Sequence, residues 1–400
     1  MLTQEENDTL TLVGPGTPGG ELLRRYWHPV ATTADVSEAQ PTKFVRVLGE
    51  DLVLFRDKSG RAGLIADKCA HRSASMVYGR VEERGISCAY HGWLYDCEGN
   101  ILETPPERND AIMKSVQIKA YPVQRFIGLY WAYLGPLPAP VIPHYDLWVR
   151  KDGRRRVQVR PVLDCNWFQT MENSADSVHL EILHQESIGR GRLATNTTRG
   201  FIDDVERYDY HTEPWGGLIK TRTYKNGKAD AHPLIFPNIL RVGDRTQIRV
   251  PIDDTHTYHV VVSFEPTEDG SIVEDDDPPV VYDAPYKDPP DAHYPIARFA
   301  LDEVPKQDYM AWETQGPIAD RSREHLSFAD RGVVLLRRLL RENIEAVQRG
   351  EDPWGLQRDS AHPQIDTNLS ESLVWERVGR PTGIATETVS VSGTVSAPGT

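Results

Sequence analysis

The sequence is poor in cysteine and has no long apolar run. It holds four cysteines in 400 residues, namely Cys69, Cys88, Cys97 and Cys165. No stretch approaches the ~18 consecutive apolar residues of a membrane span, and the first residues lack the charged leader and apolar core of a secretory signal. We therefore expect a cytoplasmic protein, in which clustered Cys and His indicate a metal site rather than disulfides.

Positive charge is also scarce and dispersed. The chain has 45 Lys and Arg against 59 Asp and Glu, a formal net charge of −14, and its longest basic run is Arg154-Arg155-Arg156. Such a surface repels the phosphates of nucleic acids and of acidic lipids, so we expect neither as a partner. The hydrophobic share of 39% and the charged share of 26% are typical of a globular chain.

The predicted secondary structure changes along the chain. Residues 1–40 predict short helices, and residues 41–140 predict a small all-β domain of short strands with Gly and Asp turns. The Pro-rich stretch 135–140 ends that domain. A mixed domain follows over 141–385, with a helix near 165–185, strands near 205–225 and 235–265, a surface excursion over 266–300 and a long helix from Ser327 or Asp330 through Ile344. Residues 386–400 are predicted to be disordered.

Two short Cys and His pairs form the strongest motif. They are Cys69-Ala70-His71 and, after residues 72–87, Cys88-Ala89-Tyr90-His91-Gly92-Trp93. Two Cys and two His can hold a tetrahedral zinc, or a [2Fe–2S] cluster with both His on one iron. Zinc sites more often pair Cys with Cys, whereas each of these two loops carries one Cys and one His. The arrangement favours the cluster, and a zinc loop is the alternative.

A second motif lies on the helix predicted near 165–185. Asn173, Asp176 and His179 are three residues apart and share a helix face, and His184 follows. His179 and His184 are separated by about 140° on an ideal helix, so both reach one metal only if the helix widens or ends between them. Two His and a carboxylate form a facial triad that binds iron(II) and leaves positions open for O₂ and substrate.

In this order, the two motifs resemble those of the Rieske non-heme iron oxygenases. The resemblance covers roughly residues 15–375, and the stretches 247–257 and 320–326 are similar to the phthalate dioxygenase branch. It implies an α+β fold: an N-terminal all-β Rieske [2Fe–2S] domain, then a catalytic domain with a central antiparallel sheet flanked by helices, of the helix-grip or START-like type.

The resemblance also implies roles for single residues. The cluster would be held by Cys69, His71, Cys88 and His91. The mononuclear Fe²⁺ would be held by His179, His184 and a downstream carboxylate, for which Asp308 fits best and Asp320 and Asp330 are alternatives. Asp176 would bridge a Rieske His of one subunit and an iron-binding His of its neighbour, and so carry electrons between subunits. Asn173 would lie near the iron.

The implied activity is that of a terminal oxygenase. Its partners would be O₂, a small aromatic substrate and a flavin and iron–sulfur reductase that uses NAD(P)H. The protein would assemble as a homotrimer or as stacked trimers. The expected reaction is cis-dihydroxylation of an aromatic carboxylate such as a phthalate or benzoate, and monooxygenation or O- or N-demethylation is the alternative. More distant alternatives are a Rieske electron carrier without the second iron and a zinc-stabilised interaction protein.

A substrate carboxylate would need an arginine in an otherwise apolar pocket, because guanidinium binds carboxylate in a bidentate manner. The candidates on the predicted strands are Arg207, Arg241, Arg245 and Arg249, and Phe168 is a candidate for the apolar lining.

Overall fold

The structure is a computed structural model that describes residues 1–107, 110–184, 204–275, 277–293, 295–359 and 364–368. The predicted disordered tail, 386–400, lies outside these ranges, as does the end of the predicted second domain. No helix in the described ranges is long and apolar enough to cross a membrane.

The chain begins with two short helices, as predicted. Helix α1 (Gln4–Thr11) starts with a capping box between Thr3 and Glu6, and α2 (Pro18–Leu23) has Thr17 as its N-cap and a proline at its first position. The segment 1–40 also contains a strand that the sequence pattern did not predict, β1 (Trp27–Thr32). All six of its residues are buried, so it lacks the alternation of polar and apolar residues by which strands are recognised.

Three small sheets make up the predicted β domain. Their orders are β1-β11-β10, β2-β3-β4-β9 and β5-β6-β7-β8. The strands are β2 (Thr42–Val47), β3 (Glu50–Arg56), β4 (Ala62–Ala66), β5 (Arg80–Glu82), β6 (Gly85–Ser87), β7 (Leu94–Tyr95), β8 (Ile101–Glu103), β9 (Ala120–Tyr121), β10 (Val123–Phe126) and β11 (Leu129–Tyr133), with a short helix α3 (Ala111–Ser115) before β9.

The second sheet separates two hydrophobic cores. On β3, Val53 and Phe55 face a small core that also contains Cys69 and Cys88, whereas Leu52 and Leu54 face a large core shared with the rest of the chain. This split follows from the strand geometry, because successive side chains point to opposite faces.

An eight-stranded sheet forms the centre of the second half. Its order is β13-β14-β15-β16-β17-β18-β12-β19. The elements are α4 (Asp146–Val149), β12 (Gly153–Leu163), α5 (Trp167–Ala175), α6 (His179–Leu183), β13 (Val205–Glu213), β14 (Gly217–Tyr224), β15 (Ala229–Ile235), β16 (Ile239–Val242), β17 (Arg245–Pro251), β18 (Thr257–Pro266), β19 (Val280–Tyr282), β20 (Lys287–Asp288), β21 (Arg298–Phe299), α7 (Val304–Glu313) and α8 (Arg331–Gln348).

The central sheet is antiparallel, as expected, except at one edge. Strand β19 pairs in parallel with β12, and all other pairs in this sheet are antiparallel. The cause is the excursion after β18, which returns along the free edge of β12 and satisfies its hydrogen-bonding groups. The boundaries 40, 140 and 385 between the predicted domains stay a prediction.

A buried ion network fixes α5 against α8. The Arg321 guanidinium donates to both oxygens of Glu172, at 3.0 Å from Nε, and Arg337 Nε donates to Glu172 at 2.6 Å. Arg337 also pairs with Glu324. The stretch 320–326, noted for its resemblance, therefore has a structural role in holding the helix that carries Asn173, the first residue of the second motif.

Candidate metal centres

The four residues of the first motif lie on two neighbouring loops. Cys69 and His71 follow β4, and Cys88 and His91 lie between β6 and β7. Each loop is closed by a main-chain hydrogen bond of 2.9 Å, from Ser73 to the Cys69 carbonyl and from Gly92 to the Cys88 carbonyl. Gly92 has φ of +75°, a conformation that favours glycine.

The arrangement of these side chains fits a two-iron cluster better than one zinc ion. Both cysteines are 3% exposed, and the rings of His71 and His91 lie 4.6 Å apart between centroids at the partly exposed tip. One tetrahedral ion would draw at least three of the ligand atoms close together. Among the described residues, only a different group brings three such atoms within 4.8 Å. A cluster of two irons accommodates the wider spread.

Tyr95, on β7 beside this loop pair, lies where it could act on a cluster. Its hydroxyl lies 3.1 Å from Cys69 Sγ, and burial raises the pKa of Tyr95 well above its usual range, so the hydroxyl keeps its proton and would donate to Cys69 when that sulfur is a ligand thiolate. Hydrogen bonds to the sulfurs of such clusters set their reduction potential.

We expect the Tyr95→Phe variant to have a lower cluster potential. Losing about 1.4 kcal/mol of stabilisation of the reduced cluster corresponds to about 60 mV for one electron. The measurement is a spectroelectrochemical titration, with Tyr78→Phe as the control because Tyr78 is 78% exposed. Equal potentials in the wild type and Tyr95→Phe would contradict the expectation.

The helix ends between the two His of the second motif, as the spacing requires: α6 runs from His179 to Leu183, and His184 is its C-cap. A further interruption, which was not predicted, lies before His179, because α5 ends at Ala175. Asp176 ends α5, and its carboxylate accepts the main-chain N–H groups of Val178 at 2.8 Å and His179 at 3.1 Å. The rings of His179 and His184, at the two ends of α6, lie 5.4 Å apart between centroids.

Asp308, on α7, completes a group of three ligand atoms within 4.8 Å of one another. Its Oδ1 lies 3.1 Å from His184 Nε2 and 3.9 Å from His179 Nε2, and it has no hydrogen-bond donor of its own. A buried carboxylate oxygen without a donor and two converging imidazoles fit a divalent iron that leaves other positions open.

The alternative carboxylates lie elsewhere. Asp320 is exposed and accepts from Ser322, and Asp330 accepts from the main chain of Ser327 at the start of α8. Neither belongs to the group formed by His179, His184 and Asp308.

Asp176 and Asn173 flank this group on the α5 side. Asp176 Oδ2 lies 3.3 Å from His179 Nδ1, and 25% of its side chain is exposed, which leaves room for a second imidazole. Asn173 is half-buried one turn earlier on α5, and its carbonyl accepts the Asp176 N–H at 3.2 Å.

Gln307 orients His184, a role that no sequence pattern indicated. Its Oε1 lies 2.7 Å from His184 Nδ1, and its Nε2 donates to the Leu301 carbonyl at 2.9 Å. Because the amide oxygen can only accept, His184 carries its proton on Nδ1 and presents the Nε2 lone pair to the metal position.

We expect Gln307→Leu to weaken iron binding at this group by about 10- to 100-fold, as is typical when the partner of a ligating His is removed. The measurement is iron(II) retention against a chelator, with the [2Fe–2S] content as internal standard. Gln315→Leu, an exposed change just after the same helix, serves as control. Identical retention in both variants would show that Gln307 does not support the ligand.

The four candidate arginines have different surroundings. Arg207 is exposed and pairs with Asp209, and Arg245 is exposed. Arg241 is buried and donates to both oxygens of Asp146, at 2.7 and 2.9 Å. Arg249 is 1% exposed and has no carboxylate within 4 Å among the described residues. Phe168 is fully buried in the large core, with the Arg321 guanidinium 5.1 Å from its ring centroid.

Comparison with known proteins places these two centres in a family. Residues 26–122 match the Rieske [2Fe-2S] domain, and residues 298–378 match a domain described as LigXa C-terminal domain like. The 5,5'-dehydrodivanillate O-demethylase oxygenase subunit of Sphingobium sp. is 39% identical over 376 residues, 90% of this chain and 85% of that protein. The chain belongs to the Rieske non-heme iron oxygenases. This Rieske oxygenase carries a [2Fe–2S] cluster and a catalytic mononuclear iron, the two cofactors expected from its motifs.

Further relatives agree with this assignment. The phthalate 4,5-dioxygenase oxygenase subunit of Pseudomonas putida is 33% identical over 395 residues, covering 89% of each chain. The terminal oxygenase of carbazole 1,9a-dioxygenase from Novosphingobium sp. has the same fold, with a TM-score of 0.61 at 19% identity over 86% of this chain and 96% of that chain. A carbazole 1,9a-dioxygenase oxygenase solved in complex with its ferredoxin has a TM-score of 0.62 at 19% identity, over 86% and 92%.

Proposed function

We propose that this Rieske oxygenase uses O₂ to oxidise an aromatic carboxylate that Arg249 binds beside the catalytic iron. The observation that carries the proposal is the isolation of the Arg249 charge. Every other buried arginine of the described residues has a carboxylate within 4 Å. The names of two relatives, a phthalate 4,5-dioxygenase and a dehydrodivanillate O-demethylase, support an aromatic acid as substrate.

The contacts of Arg249 leave part of its guanidinium free. Nη2 donates to Gln247 at 2.9 Å, Nη1 lies 3.9 Å from the Met171 sulfur, and Nε has no acceptor. Burial lowers the pKa of Arg249 to about 10, although the Asp308 carboxylate opposes this shift. A buried cation without an anion is costly, and the cost is offset when a ligand supplies the anion.

His259 lies opposite Arg249 on the neighbouring strand and extends this polar spot. The two residues are direct partners between β17 and β18, so their side chains share one sheet face. His259 Nε2 is buried without a partner, and Nδ1 lies 3.3 Å from the Tyr309 hydroxyl. Burial holds the pKa of His259 well below its usual range, so the ring is neutral and gives a second polar contact without a second charge.

Helix α7 connects this spot to the iron group. Asp308 and Trp312 are one turn apart on α7, and the Arg249 guanidinium lies 5.5 Å from the Trp312 ring centroid. An aromatic substrate whose carboxylate is bound by Arg249 would therefore have its ring near the iron group, between aromatic side chains that exclude water.

The remaining residues have separate tasks in the proposed reaction. The iron, when bound by His179, His184 and Asp308, supplies the activation of O₂. Gln307 holds the proton of His184 on Nδ1. Asp176 Oδ2 lies 3.3 Å from His179 Nδ1 in its own subunit, and the carboxylate would accept from a Rieske His, His71 or His91, of a neighbouring subunit.

O-demethylation is the second candidate reaction, because the demethylase relative is 39% identical whereas the phthalate dioxygenase relative is 33% identical. The iron group is compatible with either outcome. The outcome depends on which part of the substrate lies nearest the iron when Arg249 binds its carboxylate. A ring carbon in that position favours cis-dihydroxylation, whereas an aryl methoxy group favours demethylation.

The electron supply and the assembly are part of the proposal. A separate flavin and iron–sulfur reductase, using NAD(P)H directly or through a ferredoxin, would reduce the cluster. The ferredoxin complex of a carbazole oxygenase supports a docked iron–sulfur donor. A homotrimer would supply the neighbouring Rieske His that Asp176 requires, and we expect a cytoplasmic location.

The test begins with anaerobic purification and a count of iron, sulfide and zinc. We expect the two irons and two sulfides of the cluster and one further iron, with a Rieske-type EPR signal on reduction. O₂ consumption is then screened with phthalate, benzoate, vanillate and 5,5'-dehydrodivanillate. A cis-diol product identifies dihydroxylation, and formaldehyde identifies demethylation. Activity confined to uncharged aromatics would overturn the role of Arg249.

A further inference from the structure

The break between α5 and α6 is held from the adjacent sheet by two buried cations of β14. Lys220 Nζ donates to the Asp176 carbonyl at 2.6 Å, and Arg222 Nη1 donates to Glu181 Oε1 at 3.1 Å. Lys220 is 4% exposed, Arg222 2% and Glu181 0%. Because Lys220 and Arg222 are two apart on one strand, both point to the same sheet face.

Glu181 lies in α6 between His179 and His184. A helix of five residues is too short to be stable alone, and its N-cap, Val178, has no side-chain cap hydrogen bond. Apart from the Asp176 carboxylate, which accepts the N–H groups of Val178 and His179, the direction of α6, and with it the direction of both imidazoles, comes from tertiary contacts. The buried ion pair of Glu181 with Arg222 is such a contact.

The Arg222 guanidinium is itself fixed before it meets Glu181. It donates to both oxygens of Asp230, at 2.9 Å from Nε and 3.1 Å from Nη2, and the Tyr224 hydroxyl donates to Asp230 at 2.7 Å. A guanidinium held in this bidentate manner has little conformational freedom, so its ion pair with Glu181 holds α6 in a defined position relative to the sheet.

Fold stability alone does not account for this cluster. Buried ion pairs can often be replaced by apolar pairs of similar volume without loss of stability. Lys220 has no carboxylate within 4 Å among the described residues, and burial lowers the pKa of Lys220 to about 8. The protein thus bears an energetic cost to bring a donor to the Asp176 carbonyl.

We propose that Lys220 and Arg222 are positioning residues: Arg222, through Glu181, aims His179 and His184 at one iron, and Lys220 fixes Asp176 as the bridge to the neighbouring cluster. This inference rests on the proposed iron ligands, His179, His184 and Asp308. A second contact at the break supports it, since the hydroxyls of Ser177 and Tyr210 lie 2.7 Å apart.

The first experiment separates positioning from stability. Arg222→Met leaves Glu181 buried and uncompensated, so we expect this single variant to be destabilised for reasons unrelated to the iron. The double variant Arg222→Met with Glu181→Leu removes both charges of the buried pair and replaces them with apolar side chains. Asp230, whose side chain is 35% exposed, keeps the hydrogen bond from Tyr224. We expect it to melt near the wild-type temperature and to keep its cluster, but to bind iron(II) about 10- to 100-fold more weakly. Iron(II) titration of the chelator-treated protein, followed by the EPR signal of its nitric oxide adduct, measures this.

The second experiment tests Lys220. We expect Lys220→Met to keep its iron and its nitric oxide signal, and to slow oxidation of the reduced cluster by the iron site about tenfold or more in a single-turnover measurement. Lys225→Met is the matched control, because Lys225 is exposed in the turn after β14.

The outcomes distinguish this inference from the ligand assignment. His184→Ala should lose the iron; if it binds iron as the wild type does, the ligand assignment fails. If His184→Ala loses iron while the Arg222 and Glu181 double variant binds it with wild-type affinity and the Lys220 variant transfers electrons at the wild-type rate, the positioning role is overturned and the ligand assignment stands.

Discussion

An Asp176→Asn variant should retain both metal centres and lose turnover by about 100-fold. The asparagine oxygen can still accept the main-chain N–H of Val178, so most of the local fold survives, although the N–H of His179 loses its acceptor. Its NH₂ group, however, only donates, and cannot accept the N–H of a second imidazole. The carboxylate bridge between His179 and a Rieske His would be broken. Iron and sulfide content, steady-state O₂ consumption and single-turnover oxidation of the cluster measure the effect.

Asp320→Asn provides a matched control for this experiment. Asp320 accepts the N–H of Ser322 two residues on at 3.0 Å, as Asp176 accepts that of Val178 at 2.8 Å. Asp320 is exposed, so its variant should behave as the wild type. Normal turnover in Asp176→Asn would remove the bridge from the proposed electron route, whereas loss of iron would assign Asp176 to iron retention instead.

An Arg249→Met variant should lose activity toward aromatic acids while keeping or gaining thermal stability. Removing one partner of a buried charge pair costs about 2–5 kcal/mol of binding, which corresponds to at least about 30-fold in kcat/KM. In the protein without substrate, the same change removes a buried charge that has no anion, so the melting temperature should not fall. The opposite directions of these two effects distinguish a binding arginine from a structural one.

The comparison uses phthalate, 5,5'-dehydrodivanillate and their carboxamides as probes. The wild type should prefer the acids, and Arg249→Met should lose most of that preference. Arg245→Met serves as control, because Arg245 lies on the same strand and the same sheet face but is exposed. An Arg249→Met variant that unfolds at a lower temperature and keeps its preference for acids would make Arg249 a structural residue.

The parts that the sequence predicted depend on residues close together in the chain. The two Cys and His pairs and the His179 and His184 pair each lie within a few residues, so spacing alone reveals their geometry. The end of α6 between His179 and His184 was predictable, because five residues do not bring two side chains to one helix face. The interruption after Ala175 was not predicted, since the spacing of Asn173, Asp176 and His179 indicated one continuous helix face. Asp308 required family resemblance, since nothing local links a carboxylate on α7 to a His on α6.

Other site residues could not be predicted because long-range register decides their neighbours. Arg249 and Arg241 stand on adjacent strands with similar local sequence, yet only Arg241 meets a carboxylate, Asp146. Gln307 and Glu181 look like ordinary polar helix residues until α6, α7 and β14 are assembled. Strand β1 was missed because a fully buried strand has no polar face.

The shared large core limits how electrons can travel. Leu52, Leu54 and Leu64 of the cluster-bearing half pack in the same core as Val260 and Val262 of the eight-stranded sheet. The main-chain N–H groups of Leu48 and Gly49 also donate to the carbonyls of Pro251 and Ile252, each at 2.9 Å. These contacts connect the two halves without a hinge, so we expect no swing of the cluster toward the iron of the same chain. In the proposed homotrimer, the tunnelling distance would then be determined by how copies of the chain assemble, and we expect dilution that separates the copies to silence the enzyme without changing either metal centre.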